Sequence, residues 1–246
     1  MWLRCKSENG GGIAFGSASA SLSVSACVFQ HCTSTKTGAA ICVCPAAQFT
    51  VTSSSFVSGN AETLDAGGIE SLRISRCNYF HECTFIGNTA YRFSGGLVIA
   101  EIGTSACDNS FSAVVSECKF IGNKGEQGAG LHLRVSISSH YICNSLISSN
   151  TGTYGGGLQF WNDSIPSISP PSFSFLFFSS DSATKGHDII INGSNPFTAR
   201  SFIHCFSVTT NSPRIFPSGN ENWLPQANIP SNLTGAPSIN ASHNTT

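Results

Sequence analysis

The stretch Phe85-Ile-Gly-Asn88-Thr-Ala-Tyr-Arg-Phe-Ser94-Gly-Gly-Leu97-Val-Ile99 carries two signatures. An aromatic residue stands three places before an asparagine, and a run of small residues leads into an alternating apolar pair. Both recur along the chain. Small-residue runs precede Ile13, Ile41, Ile69, Leu97, Leu131, Leu158 and, in degenerate form, Ile189, at intervals of 28, 28, 28, 34, 27 and 31 residues. A second column, Cys32, Asn60, Asn88, Asn123, Asn150 and Asp181, advances by 28, 28, 35, 27 and 31. Three places before each member stands Phe29, Val57, Phe85, Phe120, Ile147 or Phe178. Two columns that keep register this long define an internal repeat.

Alternation within each unit identifies the local structure. Ile13 and Phe15, Ile41 and Val43, Leu97 and Ile99, Leu131 and Leu133, and Leu158 and Phe160 are each two apart, the period of a strand. Ile69 departs from the rule, because Ser71 follows it. A second short strand carries Cys27 with Phe29, Cys83 with Phe85, and Cys118 with Phe120. A third apolar position holds Val24, Phe80, Val115, Ile142 and Phe173, with Thr52 as the exception. Three short strands per repeat make one coil of a right-handed parallel β-helix, an all-β solenoid of about six to seven coils. Stacking then predicts a phenylalanine pile with a cysteine row beside it, and an asparagine ladder bonding from coil to coil. The glycines suit corners with positive φ or close backbone approach. Residues 1–222 are assigned to the solenoid, and 223–246, rich in Pro, Asn and Ser, to a disordered tail.

These repeats resemble those of the polymorphic outer membrane protein family, marked by Gly-Gly-Ala-Ile-like and Phe-x-x-Asn tetrapeptides. Phe85-Ile-Gly-Asn88 and Phe120-Ile-Gly-Asn123 match fully, and Gly38-Ala-Ala-Ile41 and Gly155-Gly-Gly-Leu158 loosely, within roughly residues 10–191. The resemblance implies a β-helical passenger, extracellular or on the cell surface, and often an adhesin. The opening of the chain almost directly on a repeat is what a piece of a larger protein would show.

Composition narrows the classes. Of 246 residues, 40% are apolar and only 10% charged, and 12 Lys and Arg against 13 Asp and Glu give a formal charge of −1. That balance speaks against nucleic-acid binding. With 24 Gly, 18 Phe and one Met, a helical bundle is disfavoured. The longest apolar stretch, Phe173-Ser-Phe-Leu-Phe-Phe178, is too short to span a membrane as a helix. Met1-Trp-Leu-Arg-Cys-Lys-Ser-Glu8 lacks the apolar middle of a signal peptide. The 11 cysteines fit either buried thiols that pack as small hydrophobes or scattered disulfides.

Chemistry is sparse in the pattern. No aspartate is paired in sequence, and no histidine stands at metal-ligand spacing from a second ligand, so neither metal nor cofactor is expected. Glu70, His132 and Gln159 share the outward side of the first strand and read as a solvated face. The repeat spends extra residues in two places, roughly 101–110 and 161–171, both at the corner after the first strand. Insertions on one edge of a solenoid are where binding residues usually sit. Trp161, Asn162, Glu101 and Asp108 are therefore the candidate partner-binding edge, with Trp161 as its aromatic anchor. The expected partner is a surface glycan or a host or neighbouring protein, and the chain is expected to be a monomer. The functional reading is a non-catalytic surface module, adhesin-like or structural. The alternative is a polysaccharide lyase or glycoside hydrolase of the β-helix type.

Overall fold

The computed structural model describes residues 2–3, 5–100, 111–135, 139–162, 172–174, 176–185, 189–193 and 215–218. Among them there is no helix, and the strands pair in parallel, coil upon coil. The first strands Ile69–Leu72, Leu97–Ala100, Leu131–Val135, Leu158–Asn162 and Ile189–Gly193 stack in register. Leu97 lies opposite both Ile69 and Leu131, and Leu158 opposite both Leu131 and Ile189. A seven-stranded sheet carries the phenylalanine column. The expected parallel β-helix is the fold.

Two early strands, Ile13–Ser25 and Ile41–Thr52, run unbroken through a corner and join the first and third strands of the coil into one 12-stranded sheet. Later coils break there: Leu97–Ala100 is separate from Phe111–Ser116, and Leu158–Asn162 from Ser172–Ser174. Both insertions are thus bounded by a first and a third strand of their coils. Residues 101–110 and 163–171 themselves lie outside the described residues, as does the tail 223–246.

Apolar burial along the axis holds the stack together. Phe29, Phe56, Phe85 and Phe120 lie ring on ring, with centroids 5.1, 4.9 and 4.9 Å apart. That spacing is the parallel-strand repeat of about 4.8 Å, so each ring meets its neighbour without tilting the backbone. Stacked pairs of this kind add about 0.5–1.5 kcal/mol each beyond the area they bury.

In one coil the register differs from the sequence reading by a residue. Phe56, not Val57, stands opposite Phe29 and Phe85. Val51, not Thr52, pairs with Val24 and Phe80. Asn60 pairs with Thr89 and so falls outside the ladder, its place taken by Gly59. Neighbouring residues on a strand face opposite sides, so burying Phe56 and Val51 outweighs the even spacing that singled out Asn60.

The ladder forms as anticipated from Asn88 onward. The Asn88 Nδ2 donates to Phe56 O at 2.9 Å and to Asn123 Oδ1 at 3.0 Å. Asn123 donates likewise to Phe85 O and Asn150 Oδ1, both at 3.0 Å, and Asn150 to Phe120 O at 3.0 Å and Asp181 Oδ1 at 2.9 Å. Each amide oxygen also accepts a backbone N–H from the coil before it, as Gly59 N does with Asn88 Oδ1 at 2.8 Å. One buried side chain therefore satisfies donors and acceptors on two coils.

The exceptions have physical reasons. Ser71 turns inward and donates to Asn78 Oδ1, and both residues are fully buried, so a polar pair replaces an apolar one. Gly38 closes a corner at φ +57°. A Cβ on Gly96 would stand 2.2 Å from Gly130 O on the next coil, so this position admits no side chain without moving a backbone. Both cysteine readings hold at different positions. Cys83 and Cys118 are free and buried beside the phenylalanines, and burial pushes the Cys118 thiol upward. Cys77 is disulfide-bonded.

Candidate functional site

The outward face of the first strands is not solvated, contrary to the sequence reading. Glu70 is 2% exposed, Val98 1%, His132 0% and Gln159 1%. The turns between the ladder and the next glycine run cover them. These turns stack on one another through Arg92 N to Leu64 O at 3.0 Å and Gln127 N to Arg92 O at 3.1 Å. Phe93 lies over His132, with Arg92 above the Phe93 ring at 4.4 Å. Arg92 Nε and Nη2 donate to the two oxygens of Asp65 at 2.8 and 2.7 Å, a forked pair. Ala66, Val98 and Ala100 fill the apolar space beneath, with Leu72 and Phe93 packed against them. The His132 Nδ1 lies 3.0 Å from Gln159 Oε1.

The cover ends at Glu70. Beyond it opens a groove of about 550 Å³, lined among others by Asn9, Thr37, Cys42, Cys44, Asp65 and Glu70. The Cys42 thiol donates to Glu70 Oε2 at 3.5 Å and lies 3.5 Å from the Thr37 hydroxyl. Burial pushes the Glu70 carboxyl up to about 7, with Asp65 adding to the rise, while Thr37, Cys42 and Arg92 pull the other way. Burial, with the Glu70 charge beside it, also pushes the Cys42 thiol up to about 12, so Cys42 is no nucleophile at neutral pH. The groove thus combines an acid able to give up a proton near neutrality with a second carboxylate already clamped by arginine. No aspartate looked paired in sequence; Asp65 and Glu70 come together because both lie near one glycine corner. The only sequence trace of the pair with Arg92 is its offset from Asp65 by about one coil.

Trp161 and Asn162 close the strand Leu158–Asn162 rather than beginning a loop. Trp161 is half-buried and stands opposite Arg134 on one side and Asn192 on the other. Glu101 and Asp108, the other two residues of the expected edge, lie outside the described residues. No protein-family model, curated protein or solved structure matches this chain. Fold and site define a parallel β-solenoid with a groove on its sheet face where Asp65 and Glu70 meet.

Proposed function

We propose that this chain is a non-catalytic surface repeat module, adhesin-like, extracellular, and part of a larger protein of the polymorphic outer membrane protein type. The observation that carries the reading is how the polar groups are used. The ladder amides bond from coil to coil, and Arg92 and Asp65 satisfy each other, so the side chains serve mainly to build a long body. Such a body presents repeated, nearly neutral Ser- and Thr-rich faces suited to weak polyvalent contacts with a glycan or a neighbouring protein. A glycan array probed with the purified chain tests it; micromolar or weaker binding that strengthens on multimerisation is expected.

A second reading, polysaccharide cleavage, is favoured by one observation: Asp65 and Glu70 both line one groove, with Arg92 bonded to Asp65 behind it and Glu70 poised near neutrality. A polysaccharide panel separates the two. Release of reducing ends or unsaturated products that is lost in Glu70→Gln assigns an enzyme; absence of turnover with array binding assigns the module.

A further inference from the structure

One corner of the solenoid is occupied, coil after coil, by a residue with positive φ. Ala26, Ser53, Glu82, Glu117 and Asn144 hold it at +51°, +45°, +53°, +55° and +50°. Each immediately precedes a member of the inward cysteine and serine row. Such a backbone favours Gly, Asn or Asp, and glutamate there is uncommon. Two glutamates on consecutive coils place like charges about 4.8 Å apart, which destabilises a sheet unless something neutralises them. No lysine or arginine among the described residues pairs with either carboxylate. Glu82 accepts from Ser53 Oγ at 2.8 Å and lies 3.8 Å from His81 Nε2.

His81 supplies the third group. Its Nδ1 lies 2.9 Å from Ser116 Oγ on the next coil, which holds the ring and leaves Nε2 turned toward Glu82. One donor atom from each of His81, Glu82 and Glu117 falls within 4.8 Å of the others. In sequence no histidine stood at metal-ligand spacing from a second ligand, because Glu117 reaches His81 only through coil stacking. We propose that His81, Glu82 and Glu117 bind a divalent transition-metal ion on this corner.

The chemistry follows from the donor set. Two carboxylates balance the charge of a divalent ion, and one imidazole nitrogen favours zinc-like ions over calcium, which takes six or more oxygens. Ligand atoms around such an ion sit about 2.0–2.2 Å from it, so the exposed glutamates must rotate inward a little from their present separation. An adjoining groove of about 660 Å³, lined by Thr84, Lys119 and Asn144 among others, leaves room for water or a ligand at the open positions. Lys119 is the opposing charge in that groove, and an ion must outcompete it.

The test uses the full chain without a histidine tag. Calorimetric titration with zinc is expected to show one equivalent bound, weakened at least tenfold in both His81→Asn and Glu117→Gln. Both residues sit at the surface, and unchanged metal-free melting confirms that the variants fold. Cobalt substitution is expected to give a spectrum of nitrogen and oxygen ligation without a thiolate charge-transfer band. Zinc affinity unchanged in both variants, a thiolate band, calcium binding as tight as zinc, or no zinc uptake by the unmodified protein would each overturn the site.

Discussion

Phe93 lies flat on the His132 imidazole, ring centroids 4.6 Å apart and 13° from parallel. The two come from successive coils, and their contact turns the outer face of a sheet into a second, smaller interior. A solenoid coil has one obvious inside, and here a turn folds back to make another. The arrangement explains how Glu70, His132 and Gln159 are buried on the side of the strand opposite the phenylalanine stack.

Phe93→Ala uncovers that layer. Removing a half-buried ring together with its stacking on His132 is expected to cost about 1–3 kcal/mol. Urea unfolding checks it through a lower midpoint at unchanged slope. A midpoint equal to the parent would mean that the turn, not the ring, holds the cover.

The asparagine ladder separates two residues that look equivalent in sequence. Asn123→Ala removes one amide and leaves Asn88 N, Phe85 O and the Asn150 amide oxygen short of partners. The expected loss is about 3 kcal/mol, from buried groups left unsatisfied. Asn60→Ala, at the coil whose register is shifted, is expected to cost less than about 0.5 kcal/mol, because its half-buried side chain takes no part in the ladder. Thermal melts of the two variants side by side give the comparison.

Glu70 makes stability depend on pH in a definite direction. Its carboxyl is raised from 4.5 to about 7, so the folded chain holds a proton that the unfolded chain releases. This contribution is fully present below about pH 4.5 and is lost as pH rises to about 7. The whole swing amounts to at most about 3 kcal/mol. Glu70→Gln is expected to flatten the fall between pH 4.5 and 7 and to melt higher than the parent at pH 8. Melting curves at a series of pH values read it directly.

Trp161→Ala tests the edge. If the strand end presents the indole to a partner, binding to the glycan that scores on the array should weaken at least tenfold, roughly the loss of a hot-spot aromatic. The half-buried indole also packs, so melting is expected to fall by roughly 2–8 °C, about 1–2 kcal/mol for a chain of this size, with the fold retained. Unchanged binding would remove Trp161 from the partner site.

Period is a one-dimensional fact, and the sequence carried it, although in one coil it misplaced the register by a residue. The paired spacing of small-residue runs and asparagines, with two-residue alternation, determined an all-β parallel solenoid, its phenylalanine stack and its ladder from Asn88 to Asp181. Those features repeat at every coil, so one error in reading leaves the rest intact. Tertiary structure decided what does not repeat. Phe56 displaced Val57 because only packing tells which of two adjacent apolar residues points inward. Glu70 and His132 were buried by turns whose reach across the sheet is a matter of side-chain volume, not spacing. Glu117 met His81 because stacked coils bring distant residues within a few ångströms, and charge placed at a single corner leaves no periodic trace in the chain.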